Sequence, residues 1–573
     1  MRKLNLLLIP LLLLLACQTL APTGEAPRPN TATPTAPDTF TLTPTAIPSP
    51  SKTPTPSATP TLTLPTISPP QTISAEGITV YVHPEDALYT GDQVSFEVVF
   101  NRPLQEDEKE VIITLEDSSQ LGPAGMGTFG IARRNQATLQ WIWDTTPLAP
   151  GEHTLTFSVL PRGLSWTETY TLHRAGDLTY PSPDAAWITT ESDCCLFYFV
   201  SGTAAARDIE TLMDTADEQA ELARERIGGG EFEEPITVVF MSRVLGHGGF
   251  ATGDVYISYL DRNYAGNAPA QVLTHEMIHV LDGRLGGSLR PTLFVEGLAV
   301  YLSGGHFKPE PLLERAAEAV DLGWYLPLSD LANNFYPSQH ELSYLEAASL
   351  IEYMVDTWGW TAFNDFYRSI VEHPSGLQSA AINQALIMDF GLTFEQLEAQ
   401  FLDALNTLPD DPALEDDIRL TVTFFDTVRR YQEILDPSAY FMTAWLLGIN
   451  EMRENGIVAD YVRHPSTPEN IALEALLVEA DASLRAGDYA AAELALEAVN
   501  AVLDGYDVGN AAAFYAHPLA SDYLALVEAS LEAGHVPEKI QVDGETSTVW
   551  VRGAGMDLVK MVFVRQDVGW RAE

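Results

Sequence analysis

Cysteine is scarce in this chain: there are three among 573 residues, at positions 17, 194 and 195. So few thiols exclude the disulfide framework that stabilises small secreted domains. Cys194 and Cys195 are adjacent, so they lack the spacing of the cysteine pairs that bind structural zinc. Because a ring closed between neighbouring cysteines would strain their peptide bond, we expect two packed thiols at the start of a strand rather than a vicinal disulfide.

Basic residues are also few. Lys and Arg total 31 against 79 Asp and Glu, which gives a formal net charge of −48 at pH 7. A surface this acidic repels a phosphate backbone, so we do not expect nucleic acid as a partner. The general consequence of the charge is solubility, and it indicates no specific role.

Long apolar runs are missing except near the beginning, where Leu4–Leu15 follows Arg2 and Lys3. This run is too short to span a bilayer comfortably and is typical of a secretion signal. Its end, LLAC at 14–17, resembles the lipobox of bacterial lipoproteins. The resemblance implies that residues 1–17 are a lipoprotein signal peptide, that Cys17 is acylated, and that the chain is extracytoplasmic and held at the bacterial membrane or envelope surface by a lipid anchor. An uncleaved anchor helix or an ordinary signal peptide stays open, and each would export the chain.

Residues 18–75 are rich in Pro and Thr and poor in charge. Such a segment cannot bury a core, so we predict a disordered, extended stalk. The rest of the chain is long enough for several domains at roughly 150 residues each. We divide it into 76–176, 185–408, 409–540 and 541–573.

Apolar residues recur at every second position in parts of 76–176, which is typical of β-strands. Val94, Phe96, Val98 and Phe100 would share one face of a strand, and similar patterns recur around residues 139–143 and 155–159. Six or seven short strands without helical periodicity predict an all-β, immunoglobulin-like sandwich. Nothing in it indicates catalysis, and we expect a spacer or a binding module.

Residues 185–408 change to an α+β order. LFYFV (196–200), ITVVF (236–240) and DVYISY (254–259) read as strands. Thr203 is placed to cap a long helix that ends near Ile227, before Gly228-Gly229-Gly230. The loop between the second and third strands contains His247, for which we expect a turn position in preference to a substrate-lining role.

The segment QVLTHEMIHVLDG (271–283) contains the spacing H-E-x-x-H. On a helix, positions i and i+4 share a face, so His275 and His279 can both reach one Zn²⁺ at about 2.0–2.1 Å. Glu276 would then lie beside the open coordination position. A second short helix, TLFVEGLAVYLSGG, carries Glu296, whose carboxylate can fold back as a third ligand. Gly297 and Ala299 are small, as close packing of this helix on the first would require.

At this point the chain resembles the gluzincin zinc metallopeptidases, and in particular the peptidase MA-like domains, which pair H-E-x-x-H with E-G-x-A on the next helix. The resemblance extends from about Cys194 to Leu405. It implies an α+β zincin-like peptidase domain, one zinc ion held by His275, His279 and Glu296, Glu276 as general base, and a protein or peptide substrate. It departs from the thermolysin-like pattern E-x-x-x-D because position 300 is Val.

Two supporting roles follow from the resemblance. A Tyr or His donor is needed for the oxyanion, and Tyr344 is our prediction, with Tyr301 and His306 as rivals. Asp282 is available to support a ligand histidine, but we favour a surface carboxylate near the end of the helix.

After Phe401 the chain becomes helical and acidic. Residues 472–503 read as two antiparallel helices joined near Ala486-Gly487-Asp488, like one tetratricopeptide hairpin. We expect a mainly α-helical region that serves as a buttress, with partner binding as the alternative. Residues 541–573 show the alternating pattern of β-strands, which predicts a β-hairpin as the tail of the chain.

Two functions from different classes therefore remain. The first is a membrane-tethered zinc peptidase, and the second is a catalytically inactive cell-surface binding or adhesion lipoprotein built on a peptidase-like domain. A chain without catalysis has no physical need to keep two His, a base and a distant Glu in register, which favours the enzyme.

Overall fold

A computed structural model describes residues 77–573, apart from 86, 130–133, 179–183, 230–233, 245–247, 267, 438, 440–448, 553–557 and 567–568. The predicted signal peptide with Cys17, the predicted stalk and His247 lie outside the described residues. The described chain is multidomain, with a sheet-rich N-terminal region and a helical C-terminal region. None of its described helices is long and apolar enough to cross a membrane.

The N-terminal region contains two sheets, with strand orders β1-β3-β7-β6 and β2-β9-β8-β4-β5. Both sheets contribute to one buried core, which includes Phe96, Trp143 and Phe157. Short strands bring the number of strands among the described residues of this region to nine, above the predicted six or seven. The immunoglobulin-like classification of this region stays a prediction. The strands are β1 Ile78–His83, β2 Leu88–Tyr89, β3 Gln93–Phe100, β4 Glu108–Thr114, β5 Gln120–Gly125, β6 Gly127–Phe129, β7 Arg134–Asp144, β8 Gly151–Pro161 and β9 Leu164–His173.

A five-stranded mixed sheet follows, in the order β10-β11-β12-β14-β13. β11, β12 and β14 run parallel, and β10 and β13 are antiparallel edge strands. The three predicted strands correspond to β11, β12 and β14 within a residue or two at their ends. The strands are β10 Trp187–Glu191, β11 Cys195–Val200, β12 Ile236–Met241, β13 Gly249–Ala251 and β14 Val255–Ser258.

The predicted cap on the first long helix is present. The Thr203 hydroxyl oxygen accepts from the Ala206 backbone N–H, and the helix ends at Ile227 before Gly228 in the left-handed region. Fourteen further α-helices are described. All the bounds are α1 Ala204–Ile227, α2 Pro269–Leu285, α3 Thr292–Ser303, α4 Leu312–Asp321, α5 Leu328–Asn333, α6 His340–Trp358, α7 Trp360–Ser369, α8 Gln378–Asp389, α9 Phe394–Leu405, α10 Pro412–Leu435, α11 Ile449–Glu454, α12 Ala459–Val462, α13 Pro468–Ala486, α14 Tyr489–Asp507 and α15 Pro518–Glu532.

The helix pair predicted within 472–503 is α13 and α14, joined at Gly487 and Asp488. The C-terminal segment is a four-stranded antiparallel sheet and not a single hairpin. Its strands are β15 Pro537–Asp543, β16 Thr546–Arg552, β17 Leu558–Gln566 and β18 Gly569–Ala572.

Helix α10 contributes to two hydrophobic cores. Ile418 and Val422 join the core around the mixed sheet and helices α1–α9, whereas Leu420 and Phe424 join the core of α13–α15 and the C-terminal sheet. One helix thus belongs to both cores. Where domain boundaries fall along the chain stays a prediction.

Cys194 and Cys195 form a disulfide, so the prediction of two free thiols is wrong. Cys194 is not part of strand β11. Its N–H donates to Asp217 Oδ1 at 2.8 Å, and its carbonyl oxygen accepts from the Ile236 N–H at 3.0 Å. The sequence contains no information about this backbone environment, because Asp217 and Ile236 come from separate elements.

Candidate metal centre

Helix α2 is buried on most of its surface. Pro269 occupies its first position, where the missing N–H costs no hydrogen bond, and the helix ends before Gly286, whose φ is +81°. Leu273, Met277 and Ile278 are buried in the core. This packing fixes the rotation of the helix and therefore the direction in which His275 and His279 point.

Three side-chain atoms of α2 and α3 converge. His275 Nε2 and His279 Nε2 lie 3.0 Å apart. Glu296 Oε2 lies 3.5 Å from His275 Nε2 and 3.1 Å from His279 Nε2. Bonds of 2.0–2.1 Å in tetrahedral geometry place ligand atoms roughly 3.3 Å apart. These residues therefore fit three vertices of a zinc tetrahedron, and their assignment as zinc ligands stays a prediction.

Glu276 lies next to this trio. One of its carboxylate oxygens is within 4.8 Å of ligand atoms of both His275 and His279. Its Oε2 is buried and has no hydrogen-bond partner among the described residues. Burial raises the pKa of Glu276 to about 8. Two carboxylates thus lie beside the imidazoles, and the distances of 3.5 and 3.1 Å from Glu296 Oε2 to the two Nε2 atoms favour Glu296 as the third ligand.

The electrostatic environments of the two histidines differ. Burial lowers the pKa of His275 to about 4, so this ring is neutral at neutral pH and offers a lone pair. Burial opposes ionisation of Glu296, but the neighbouring His279 and His275 hold its pKa well below the usual range. Burial lowers and Glu296 raises the pKa of His279, with a net increase. The site thus presents an ionised carboxylate between two rings.

Tyr336 was not identified from the sequence. It lies between α5 and α6, and its hydroxyl donates to Glu296 Oε1 at 2.6 Å. Because Oε1 is occupied by this bond, Oε2 is the oxygen turned toward the two histidines. A tyrosine beside Pro in a loop is an unremarkable pattern, and no local spacing relates it to Glu296.

Asp282 is not a surface carboxylate, so that expectation is wrong. It is buried at the end of α2, where its carboxylate accepts from Arg290 Nε at 2.7 Å and from the Tyr367 hydroxyl at 2.9 Å and pairs with Arg368 at 2.6 Å. His279 Nδ1 has no hydrogen-bond partner among the described residues. Asp282 therefore joins α2 to α7, whereas Glu296 is the candidate ligand that a hydrogen bond from Tyr336 orients.

The structure brings Tyr344 and His306 together beside His275. The ring centroids of Tyr344 and His306 are 4.3 Å apart and nearly parallel, and they lie 6.1 and 6.3 Å from the ring of His275. Burial raises the pKa of Tyr301, and the nearby charges of Glu352 and Asp356 raise it further. Both Tyr344 and His306 thus remain positioned near the predicted metal.

Two glycines allow close approaches around the site. A Cβ on Gly297 would lie 2.6 Å from the Ala347 carbonyl oxygen, so Gly297 lets α3 approach α6 closely, whereas we expected it to face α2. A Cβ on Gly249 in β13 would lie 2.4 Å from Val272 Cγ1 and 3.2 Å from Glu276 Oε1. The edge strand thus passes directly against the general-base candidate, which the sequence did not indicate.

The fold and site therefore define a buried centre of two histidines and two glutamates on neighbouring helices beside a mixed sheet. No protein-family model matches the chain, and no curated protein matches it. Native yeast LTA4 hydrolase is similar with a TM-score of 0.30 and 10% identity, over 77% of this chain and 88% of that chain. The complex of yeast LTA4 hydrolase with bestatin is similar with a TM-score of 0.29 and 12% identity, over the same shares of the two chains. Similarity at this level assigns no family to the chain.

Proposed function

We propose that this chain is a zinc-dependent peptidase that hydrolyses peptide bonds with assistance from Glu276. The observation that carries the proposal is the convergence of His275 Nε2, His279 Nε2 and Glu296 Oε2 within 3.0–3.5 Å, with the Glu276 carboxylate beside them. A group of metal ligands alone would not require a second, unligated carboxylate with an unpartnered buried oxygen. That oxygen is the group a hydrolase needs.

His275, His279 and Glu296 would hold the zinc, which supplies Lewis acidity for the carbonyl and makes water more acidic. Glu276 then accepts a proton from the attacking water while the new C–O bond forms at the peptide carbon. It delivers that proton to the amide nitrogen as the C–N bond breaks. Burial of Glu276 suits this exchange, because its raised pKa favours holding the proton between the two steps.

The Tyr344 hydroxyl is our candidate donor to the carbonyl oxygen as negative charge develops there. Its ring is held between His306, at 4.3 Å, and Phe335, at 5.1 Å. A side chain held by neighbouring rings loses little entropy in the transition state, which is the property that an oxyanion donor needs.

An extended peptide would lie along β13, which is one of the two edge strands of the mixed sheet. Addition of a strand to a sheet edge is a general way to bind peptides in an extended form. Gly249 of this strand approaches Glu276, so a peptide paired there would pass near the reacting groups. The proposed substrate is accordingly an extended protein or peptide segment.

The lipoprotein resemblance at 14–17 supports an extracytoplasmic, membrane-tethered enzyme. In this arrangement residues 18–75 form a stalk and the N-terminal sheets, which we assign to an immunoglobulin-like sandwich, form a spacer. The chain then acts at the outer side of the membrane on proteins that reach it.

The test combines metal analysis with hydrolysis of a broad peptide library. Purified protein is expected to contain about one Zn²⁺ per chain and to hydrolyse peptides until a chelator removes the metal. His275→Ala with His279→Ala is expected to empty the site, because a single remaining ligand rarely holds zinc. Zinc bound without hydrolysis of any peptide would favour the inactive binding lipoprotein, and full zinc content in the double variant would contradict the site itself.

A further inference from the structure

His306 is presented to the site by a turn that requires glycine. At the end of α3, the Gly305 N–H donates to the Val300 carbonyl oxygen at 3.0 Å and the Gly304 N–H to that of Tyr301 at 3.2 Å. Gly305 has a φ of +147°, and a Cβ there would lie 1.9 Å from the Lys308 carbonyl oxygen. The chain therefore leaves α3 in one direction, which places the His306 ring on Tyr344.

A buried carboxylate holds His306 from its other side. His306 Nδ1 lies 2.8 Å from Glu341 Oε2, in the first turn of α6. Oε1 of the same carboxylate accepts from Arg315 at 3.1 Å. Glu341 and Arg315 are both fully buried. A buried charge must be paired, so this arrangement leaves the His306 ring little freedom.

The guanidinium of Arg315 extends the connection to α10. Its second terminal nitrogen lies 3.1 Å from Asp417 Oδ1. Asp417 Oδ2 in turn pairs with Lys308 and accepts from the Tyr489 hydroxyl at 3.0 Å. Tyr489 is the first residue of α14. Side chains of α10 and α14, which lie outside the region of peptidase resemblance, are thus connected to a residue beside the metal centre.

Helix α10 also contacts this residue directly. The Phe425 ring centroid lies 5.9 Å from that of His306 and 5.2 Å from that of His340. Phe425 is buried. The His306 ring is therefore enclosed by Tyr344 on one side, Glu341 at its nitrogen and an aromatic side chain of α10.

We infer that α10 and α14 position the Tyr344 donor for catalysis through the line Tyr489, Asp417, Arg315, Glu341 and His306. This inference rests on the proposed function, in which Tyr344 acts on the carbonyl oxygen. Asp417 and Arg315 are positioning residues, since they contact no reacting atom. The helical C-terminal region is then a required part of the active site and more than a buttress, because a small displacement of a donor lowers the rate strongly.

The first measurement uses Asp417→Asn in the zinc-loaded full chain. We expect kcat to fall about tenfold while KM changes less than about twofold and zinc content stays complete, because the change displaces a donor and leaves the ligands in place. Tyr489→Phe is a milder variant that keeps both buried charges and removes one hydroxyl. It is expected to lower kcat by about threefold. Tyr506→Phe, on the same helix α14 but outside the line, serves as its control and is expected to leave kcat unchanged.

A double-mutant cycle separates positioning from general damage. If Asp417 acts through Tyr344, then Asp417→Asn has an effect of less than about twofold in a Tyr344→Phe background, where the donor is already absent. Equal effects in both backgrounds would overturn the inference. The inference would also be overturned if Tyr489→Phe and Asp417→Asn both folded and both kept the kcat of the parent.

Failure of the proposed function is distinguishable from failure of this inference. A zinc-loaded parent that hydrolyses no peptide would contradict the proposed function. Crystal structures of the parent and Asp417→Asn would still decide the positioning. Loss of the stack between His306 and Tyr344 in the variant supports the line, and an unchanged stack overturns it.

Discussion

The Tyr336 hydroxyl donates to one oxygen of Glu296 at 2.6 Å, while the other oxygen faces His275 and His279. One hydrogen bond thus decides which oxygen Glu296 presents to the two histidines. Loss of a side chain that hydrogen-bonds to a metal ligand typically lowers metal affinity by about 10–100-fold.

Tyr336→Phe should therefore weaken zinc binding by about tenfold without unfolding the protein. Glu296→Ala should weaken it further. Competition with a fluorescent zinc chelator measures both. Tyr301→Phe is the matched control, since it removes the same hydroxyl from a tyrosine on the helix that carries Glu296. An affinity of Tyr336→Phe equal to that of the parent would show that Glu296 is oriented by other contacts or is not a ligand.

Glu276→Gln separates chemistry from metal binding. The substitution keeps the size of the side chain and removes the carboxylate that accepts the water proton. Zinc content and folding should survive, while kcat should fall by about 10²–10⁴. Peptide hydrolysis is compared at equal zinc occupancy. A rate within about threefold of the parent would remove Glu276 from the mechanism.

Gly249→Ala tests the contact between β13 and α2. The new Cβ would meet Val272 Cγ1 at 2.4 Å, closer than atoms can pack. We expect a loss of about 1–3 kcal/mol in stability and a lower kcat, because Glu276 must shift with its helix. The double variant Gly249→Ala with Val272→Ala removes the clashing methyl group. It should recover part of the lost stability and part of the lost kcat. If the losses of stability caused by Gly249→Ala and Val272→Ala simply add in the double variant, the contact between these two residues is not the cause of the loss.

The anchor prediction depends on Cys17. Cys17→Ser removes the thiol that would carry an acyl chain, so the chain should no longer be processed as a lipoprotein and should leave the detergent phase on partitioning. Its zinc content is the internal control and should be unchanged, since the site lies far along the chain. Unaltered processing and equally firm membrane association would contradict the lipoprotein assignment.

A pH effect on stability is expected in the N-terminal sheets. The two hydrogen bonds from Arg102 lower the pKa of Glu108 to about 2. The unfolded value is about 4.3, so the pair stabilises the folded state above that pH and loses its effect as the pH falls through about 2. We expect about 1–2 kcal/mol at pH 6, since Arg102 is partly solvated.

Arg102→Met should therefore destabilise these sheets at pH 6 and much less near pH 2. Unfolding in urea, monitored by proteolytic cleavage within β3 and β4, measures the loss of stability at each pH. Arg174→Met, at an exposed position, is the control. An equal loss at both pH values would mean that packing, not the charge on Glu108, is the cause.

Much of the candidate site could be predicted because it is local. The i, i+4 spacing of His275 and His279 fixes their common face wherever the helix lies, and Thr203 marks a helix start by its own hydroxyl. Glu296 was within reach because it lies on the next helix. In contrast, the burial of Asp282 was missed because helical periodicity does not report Arg290, Tyr367 and Arg368, which arrive from other elements.

The sequence by itself determined the elements and the chemistry they carry: two imidazoles and two carboxylates with the right spacing, and strands and helices of the right order. The tertiary structure alone decided the disulfide at Cys194, the bond from Tyr336 to Glu296 and the line from Asp417 to His306. The physical reason is range. Periodicity and capping act within a few residues, whereas these contacts join side chains from separate elements and exist only once packing has fixed the positions of both partners.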